Sequence, residues 1–187
     1  MMKRIFDIIL ASVLTALLSI PLLVVAVLIK LTSKGPVIFW TDRIGANNTI
    51  FKMAKFRTMS ADAPQIATHL MENHENYTTP IGKFLRKYSF DEIPQLFNIM
   101  KSDMTFIGPR PALFNQNDLI ELRIKKNIHK LIPGITGWAQ VNGRDKLPIP
   151  TKVEFDEYYL KNRSFPLDFD IIVMTFIKVI RGEDVRY

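Results

Sequence analysis

The sequence predicts an α+β fold, mainly helical, built from an amino-terminal membrane-inserting helical segment and a small membrane-resting domain with short strands. Three observations carry that prediction. Ile8 to Ile29 is a 22-residue run without a charge, long enough at ~1.5 Å per residue to cross the ~30 Å hydrocarbon core. The chain after it holds short β-branched and aromatic runs between longer helical ones, punctuated by Gly, Pro and Asn clusters. Its 187 residues are 48% hydrophobic and 23% charged, which suits one domain with a sizeable core plus a short appendage and excludes a disordered chain.

The apolar run exceeds the ~7–15 residues of a signal-peptide core. Lys30-Leu31-Thr32-Ser33-Lys34 closes it in place of a small-residue cleavage site, so retention is expected. Lys3 and Arg4 precede the run; Lys30, Lys34 and Arg43 follow it. Basic flanks favour the cytoplasmic side, so a straight span exports one of them and a hairpin keeps both inside. Ser19-Ile20-Pro21 lies where a hairpin has to bend. Pro21 cannot donate a backbone N–H, and the Ser19 hydroxyl can bond backbone groups freed by a break. A kinked helix that spans fits the same residues equally well. Residues 1–34 are read as the anchor and 35–187 as the second domain.

In that domain Val37–Thr41 and Ile50–Thr58 are expected as strands, joined by a turn at Gly45-Ala46-Asn47-Asn48. Residues 62–75, Ile81–Tyr88, Glu92–Met100 and Ala112–Lys126 are expected as helices. Gly108-Pro109-Arg110-Pro111 is a rigid loop, because prolines flank the arginine. Pro133–Gly137 is expected as a loop, Trp138–Val141 as a short strand and Asn142-Gly143 as a tight turn. Thr151 followed by Glu154 predicts a capping box opening a helix over Thr151–Lys161. From Phe169 to Ile180 nine of twelve residues are Phe, Ile, Val or Met. That stretch is too short to span, and is expected as an interfacial or partly core helix.

The absence of cysteine excludes a disulfide-stapled fold, thiol catalysis and cysteine-ligated zinc or iron–sulfur sites. His69, His74 and His129 form neither HxH nor HExxH, so no dedicated zinc site is expected. No Walker A, GxGxxG or GxSxG pattern occurs. Lys+Arg of 25 against Asp+Glu of 18 gives a net charge of +7, which alone suits nucleic acid, anionic lipid or phosphorylated substrates. The basic residues are dispersed and no nucleic-acid motif accompanies them, so nucleic acid is not expected as a partner.

Arg86-Lys87-Tyr88-Ser89-Phe90-Asp91-Glu92-Ile93-Pro94-Gln95-Leu96 is the strongest local signal. Ser89 and Glu92 have capping-box spacing, Pro94 fits a first turn, and Asp91 is an alternative N-cap. Either start places Asp91 at the positive end of a helix beside Arg86 and Lys87, where an ionised carboxylate is favoured. Such a group can attack phosphorus or hold a divalent cation; acidic residues also occupy first turns for the dipole alone. Lys55 and Arg57 share a strand face, a spacing that suits a diphosphate; an edge strand guarded by charge is the plain alternative. Arg110, immobilised between prolines, and Arg144, after the Asn142-Gly143 turn, are further phosphate candidates; Arg110 could equally cap nearby carbonyls.

Taken together, Phe51–Met59, Asp91–Asn98, Gly108–Pro111 and Pro133–Arg144 resemble the bacterial sugar transferases, the small monotopic phosphoglycosyl transferases that start glycan assembly on a polyprenol carrier. The resemblance runs in order along nearly the whole chain, including the Ser19-x-Pro21 bend (some members have adjacent Ser-Pro) and Asp156 to Tyr159. It implies transfer of sugar-1-phosphate from a UDP-sugar to polyprenyl phosphate, such as undecaprenyl phosphate, giving polyprenyl-diphosphate-sugar and UMP. It also implies a re-entrant hairpin at the inner membrane with the catalytic domain on its cytoplasmic face. Asp91 is then the nucleophile, passing through a covalent phosphosugar intermediate, and Glu92 positions or exchanges protons with phosphate groups. Mg²⁺ sits against Asp91 and the diphosphate, and Asp156 matches an acidic position of the family. Lys55, Arg57, Arg86, Arg110 and Arg144 carry over as phosphate or nucleotide contacts. A second copy of the chain and downstream glycosyltransferases are the protein partners it suggests. A membrane-anchored scaffold that docks anionic lipid without catalysis is the rival class, and direct single displacement the rival mechanism. The sugar is not readable from these residues.

Overall fold

A computed structural model describes residues 2–60, 63, 77–143 and 146–182. The chain opens with two helices, α1 (Met2–Leu17) and α2 (Ser19–Thr32), bent by 63° at Leu18. Among the described residues no single helix is long and apolar enough to cross a membrane, though the bent pair passes that test together. The bend has a local cause. Pro21 offers no N–H to the preceding turn, and the Ser19 hydroxyl donates to Ala16 O at 2.8 Å.

Two antiparallel strands follow, β1 (Ile38–Ile44) and β2 (Ile50–Phe56), in register from Ile38↔Phe56 to Ile44↔Ile50. Asn47 and Asn48 take positive φ in the connecting turn, as expected of asparagine. Helix α3 (Pro80–Lys87) begins at Thr79, whose hydroxyl accepts from Gly82 N. A 3₁₀ turn over Phe90–Gln95 runs into α4 (Leu96–Met100), because Pro94 interrupts what the pattern predicts as one helix. The expected capping box at Ser89 is not formed: Ser89 is left-handed (φ 56°) with no side-chain cap bond.

Then β3 (Thr105–Ile107) pairs in parallel with β4 (Gly134–Thr136), the crossover carrying α5 (Asn117–Lys125). The helix expected from Ala112 starts five residues later, because Ala112 O accepts from Ile44 N and Leu113 bridges Arg43 at the edge of β1. Gly134–Thr136, expected as loop, becomes a strand through a pairing distant in sequence. Trp138–Val141, expected as a strand, is the short helix α6. Beyond Thr136 the backbone at Gly137 presses on Gly108 O, where an added Cβ would lie 2.1 Å away. The segment satisfies itself locally instead, Val141 N donating to Gly137 O and Asn142 Nδ2 to Trp138 O. Helix α7 (Ile149–Asn162) starts at Pro148 rather than by the predicted Thr151 cap, since its first-turn proline suits an uncapped start. The last helix is α8 (Phe165–Arg181). The helix expected over 62–75 lies almost wholly outside the described residues.

Both members of the amino-terminal pair join the domain core. Ala11 of α1 packs with Phe51, Met53, Leu96, Ile99 and Met104, and Ile29 of α2 with Phe56 and Leu85. The basic start of α1 is fastened too. Lys3 donates to Asp168 at 2.8 Å and to Tyr159 Oη at 3.1 Å. Arg4 donates to the carbonyls of Met104 and Ile99, and Asp7 accepts from Thr105 Oγ1. Outward faces stay apolar: Phe6, Leu17, Ile20 and Leu31 on the pair, and Phe165, Phe169, Phe176 and Ile180 on α8, which buries only Ile171 fully.

Candidate active site

The site grows from the 3₁₀ turn that carries Asp91 and Glu92, both buried. Glu92 Oε1 accepts from Lys55 Nζ and from Arg110 Nη2, each at 2.9 Å. These two charge-assisted bonds draw its carboxylate away from the Ser89 N–H that a capping box would use. Lys55 Nζ also stands 3.8 Å from Asp91 Oδ2. Burial pulls the Lys55 ammonium below its ordinary pKa, while Glu92 and Asp91 oppose that shift. Arg86 donates to Thr58 Oγ1 at 2.9 Å and lies within the field of Asp91. Asp91, Glu92, Lys55, Arg86 and Arg110 thus meet at one place.

Two structures hold these groups. Asn98, fully buried, acts as a false strand edge along β2: its Oδ1 accepts from Ala54 N at 2.9 Å and its Nδ2 donates to Lys52 O at 2.7 Å. This ties the strand bearing Lys55 to the helix that follows the carboxylates. The Arg110 loop is held from behind. Gly108 N donates to Thr136 O and Gly134 N to Pro109 O, both at 2.9 Å. Arg123 Nη1 donates to Arg110 O at 2.8 Å. Arg123 is in turn clamped by Asp156, whose Oδ2 accepts from its Nε at 3.0 Å and its Nη2 at 2.6 Å. Burial pushes the Asp156 carboxyl up and the Arg123 charge pulls it back.

The predicted residues therefore divide. Asp156 is 1% exposed and faces Arg123, so among the described residues its link to the site runs through Arg123 to the Arg110 loop. Arg57 follows the end of β2 and turns away from Lys55. Its Nη2 donates to Ser33 O at 3.0 Å and Ser33 Oγ at 2.8 Å, at the carbonyl-rich end of α2. Its Nε and Nη1 are buried without a partner. Gly35 (φ +110°) makes room for it, since a Cβ there would lie 2.1 Å from Arg57 Nη1. Arg144 lies outside the described residues. Arg123 and Asn98 received no role from the sequence: Asn98 sits inside a recognised motif, but Arg123 looks like any charge at a helix end.

The arrangement suits phosphate chemistry: a carboxylate pair in which one member is locked between two cations, with a third cation alongside. Across residues 1–182 the chain matches the bacterial sugar transferase family. The chain belongs to that family. It is 39% identical over 189 residues to the UDP-N-acetylgalactosamine-undecaprenyl-phosphate N-acetylgalactosaminephosphotransferase of Aeromonas hydrophila, covering 98% of this chain and 45% of the relative. It is 37% identical over 187 residues to EpsL of Bacillus subtilis (strain 168), described as an uncharacterized sugar transferase, covering 99% and 90%. It is 37% identical over 186 residues to the UDP-glucose:undecaprenyl-phosphate glucose-1-phosphate transferase of Escherichia coli (strain K12), covering 95% and 40%. The chain thus spans less than half the length of the first and third of these family members.

Among the described residues no group of three or more His, Asp or Glu could hold a metal unaided. Mg²⁺ does not need one, because it commonly takes one or two carboxylates and completes its shell with substrate phosphates and water. The donor set at Asp91 is compatible with that mode.

Proposed function

We propose that this chain transfers sugar-1-phosphate from a UDP-sugar to a polyprenyl phosphate, releasing UMP, as the first membrane step of glycoconjugate assembly. The observation that carries the reading is Glu92 locked between Lys55 and Arg110 beside Asp91. The activities for which the Aeromonas and Escherichia relatives are named support the substrate classes.

In the first half-reaction an Asp91 carboxylate oxygen bonds to the β-phosphorus of the UDP-sugar. The bond from that phosphorus to the oxygen bridging to the α-phosphate breaks, and UMP leaves with the electron pair. The enzyme then carries an aspartyl phosphosugar. In the second half-reaction a phosphate oxygen of the polyprenyl phosphate attacks the same phosphorus, forming the lipid diphosphate and returning the Asp91 carboxylate. Splitting the transfer avoids holding two bulky anions in one site. Lys55 and Arg110, preset by Glu92, face the charge that develops on the transferring group. Mg²⁺ held by Asp91 and diphosphate oxygens would reduce the repulsion between carboxylate and substrate.

The anchor supports a membrane placement. Both ends of the bent pair are fastened to one domain, Lys3 and Arg4 at its start and Ser33 at its end. That arrangement supports a re-entrant reading in which both ends share one side of the bilayer, and the basic flanks favour the cytoplasmic side. With 16 residues in α1 and arms inclined at half of the 63° bend, the apex reaches a depth of roughly 12 Å at ~1.5 Å rise per residue. That depth lies within one leaflet of the ~30 Å core.

The test is UMP release from UDP-glucose, UDP-galactose or UDP-N-acetylgalactosamine with undecaprenyl phosphate, alongside intact-mass detection of a sugar-phosphate adduct on the protein. Turnover and adduct are both expected to vanish in Asp91→Asn. Normal turnover by that variant removes Asp91 from the nucleophile role, and turnover by the native chain without a trappable adduct favours single displacement. No UMP release from any activated sugar leaves the lipid-docking scaffold as the better reading.

A further inference from the structure

A cavity of about 280 Å³ runs between the bend of the amino-terminal pair and the carboxylate turn. Leu14 and Leu18 line it on the anchor side, and Leu96, Phe106 and Val179 line its walls. Ser89 and Glu92 line it on the side of the carboxylate turn, with Lys87 and Lys178 also in the lining. The cavity therefore joins an apolar surface at membrane depth to the group that presets the reaction centre.

One lining residue is out of keeping with its surroundings. Gln140 is 7% exposed, and both its amide atoms, Nε2 and Oε1, are buried without a hydrogen-bond partner. A buried amide left unsatisfied is uncommon in a native fold and calls for an explanation. The two threonines nearby do not supply one: Thr136 and Thr175 bond each other at 2.7 Å, and Thr175 also reaches Ile171 O. Gly137 also leaves room beside the amide, since a Cβ there would lie 2.9 Å from Gln140 Oε1.

We propose that this cavity receives the phosphate end and first isoprene units of the polyprenyl phosphate acceptor, with the Gln140 amide donating to its phosphate. The inference rests on the transfer reading above and deepens it. A UDP-sugar is a poor occupant, because its uracil and hydroxyls need several polar partners and these walls are mainly apolar. A phosphorylated isoprenoid matches both ends. Its hydrocarbon suits Leu14, Leu18, Phe106 and Val179, and its anion suits Lys87, Lys178 and the amide of Gln140. The volume is about nine waters' worth at ~30 Å³ each, enough for the head of the lipid, while the remaining chain leaves past Leu18 into the bilayer.

The experiment uses the full chain in lipid nanodiscs and a farnesyl phosphate carrying a photoreactive diazirine on its first isoprene unit. Labels are expected on Leu14, Leu18, Leu96, Phe106 or Val179, displaced by unlabelled farnesyl phosphate but not by farnesol. Labels confined to other surfaces, or equal displacement by phosphatidylglycerol, overturn the proposal. In steady-state assays Gln140→Leu should raise the KM for undecaprenyl phosphate about tenfold, the loss expected for a hydrogen bond to a charged group. Its KM for the UDP-sugar should move less than twofold. Val179→Trp, which fills the cavity, should raise the acceptor KM at least as much. An unchanged acceptor KM in both variants also overturns it. Cavity labelling without UMP release from any UDP-sugar would keep the lipid site and sink the transfer reading. UMP release with labels elsewhere would do the reverse.

Discussion

Asp156 tests whether a buried carboxylate can govern the site without touching substrate. Replacing it by Asn leaves the shape nearly intact but removes the counter-charge of Arg123, which is 8% exposed and bonded to Asp156 at 3.0 and 2.6 Å. Breaking a buried ion pair from one side costs ~3–5 kcal/mol. For a chain of this length each kcal/mol moves Tm by ~2–4 °C, so Asp156→Asn should melt roughly 6–20 °C lower. The double variant Arg123→Leu/Asp156→Leu removes both charges and should recover most of that loss, leaving chiefly the Arg110 carbonyl short of one bond at ~1 kcal/mol. A structural role alone stops there. A positioning role adds a second readout: below its melting point Asp156→Asn should turn over ~10-fold more slowly, because the backbone that aims Arg110 at Glu92 is no longer held. In an Arg110→Ala background the same change should cost little more. Thermal melts and UMP release on the native chain and these four variants settle the matter. Undiminished turnover by Asp156→Asn refutes the positioning argument. A full further loss in the Arg110→Ala background refutes it too, and restores a direct substrate contact.

Lys55 should set an alkaline limit. Its folded pKa lies below the ordinary 10.5 because burial outweighs Glu92 and Asp91, so turnover should fall below pH 10.5 and Lys55→Met should erase that limb while slowing turnover ~10²-fold. Between the lowered pKa and 10.5 the unfolded chain binds more protons, so the same group makes the protein more stable as pH rises through that window; a limb that persists in Lys55→Met assigns it elsewhere. Asn98→Ala should cost ~2–4 kcal/mol in chemical denaturation, since the Ala54 N–H and Lys52 carbonyl both lose their partner; a loss under ~0.5 kcal/mol, the level of an ordinary surface substitution, would deny Asn98 the role of strand edge. Gly35→Ala should dislodge Arg57 from Ser33, so Arg57→Lys should add little to its effect on Tm, and simple additivity would show that the two do not act together.

Much of the fold is written in local pattern. The charge-free run, the Ser19–Pro21 break, the Asn-rich hairpin turn and the α3 segment follow from hydropathy and turn chemistry. The errors share a cause. Gly134–Thr136 is a strand because Thr105–Ile107 lies beside it, and Trp138–Val141 is a helix because Gly137 abuts Gly108; no window of neighbouring residues contains those facts. The site divides in the same way. The motif around Asp91 and Glu92 is dense in sequence, and Lys55, Arg86 and Arg110 were legible as cations with a reason to be placed. That Arg57 leaves the group and Arg123 joins its support depends on where β2 ends and where α5 meets α7.

The proposed mechanism gives the adjacent carboxylates different roles, and the 3₁₀ turn offers a reason. At ~3.0 residues per turn, neighbours point about 120° apart, so Asp91 and Glu92 cannot present their carboxylates to the same partners in the same way. Glu92, one methylene longer, spans the gap between β2 and the Arg110 loop and is held by two cations at 2.9 Å. A carboxylate held at one oxygen by two cations has its position committed, which in the proposed mechanism suits a strut better than a nucleophile. Asp91 stands 3.8 Å from Lys55, beyond hydrogen-bond length, yet within the field of Lys55 and Arg86. Exchanging the two residues, Asp91→Glu with Glu92→Asp, keeps charge and composition but leaves the strut one methylene short. Turnover should then fall by more than 10²-fold while the fold survives. A swapped chain that works normally would show that the charge of the pair matters and its geometry does not.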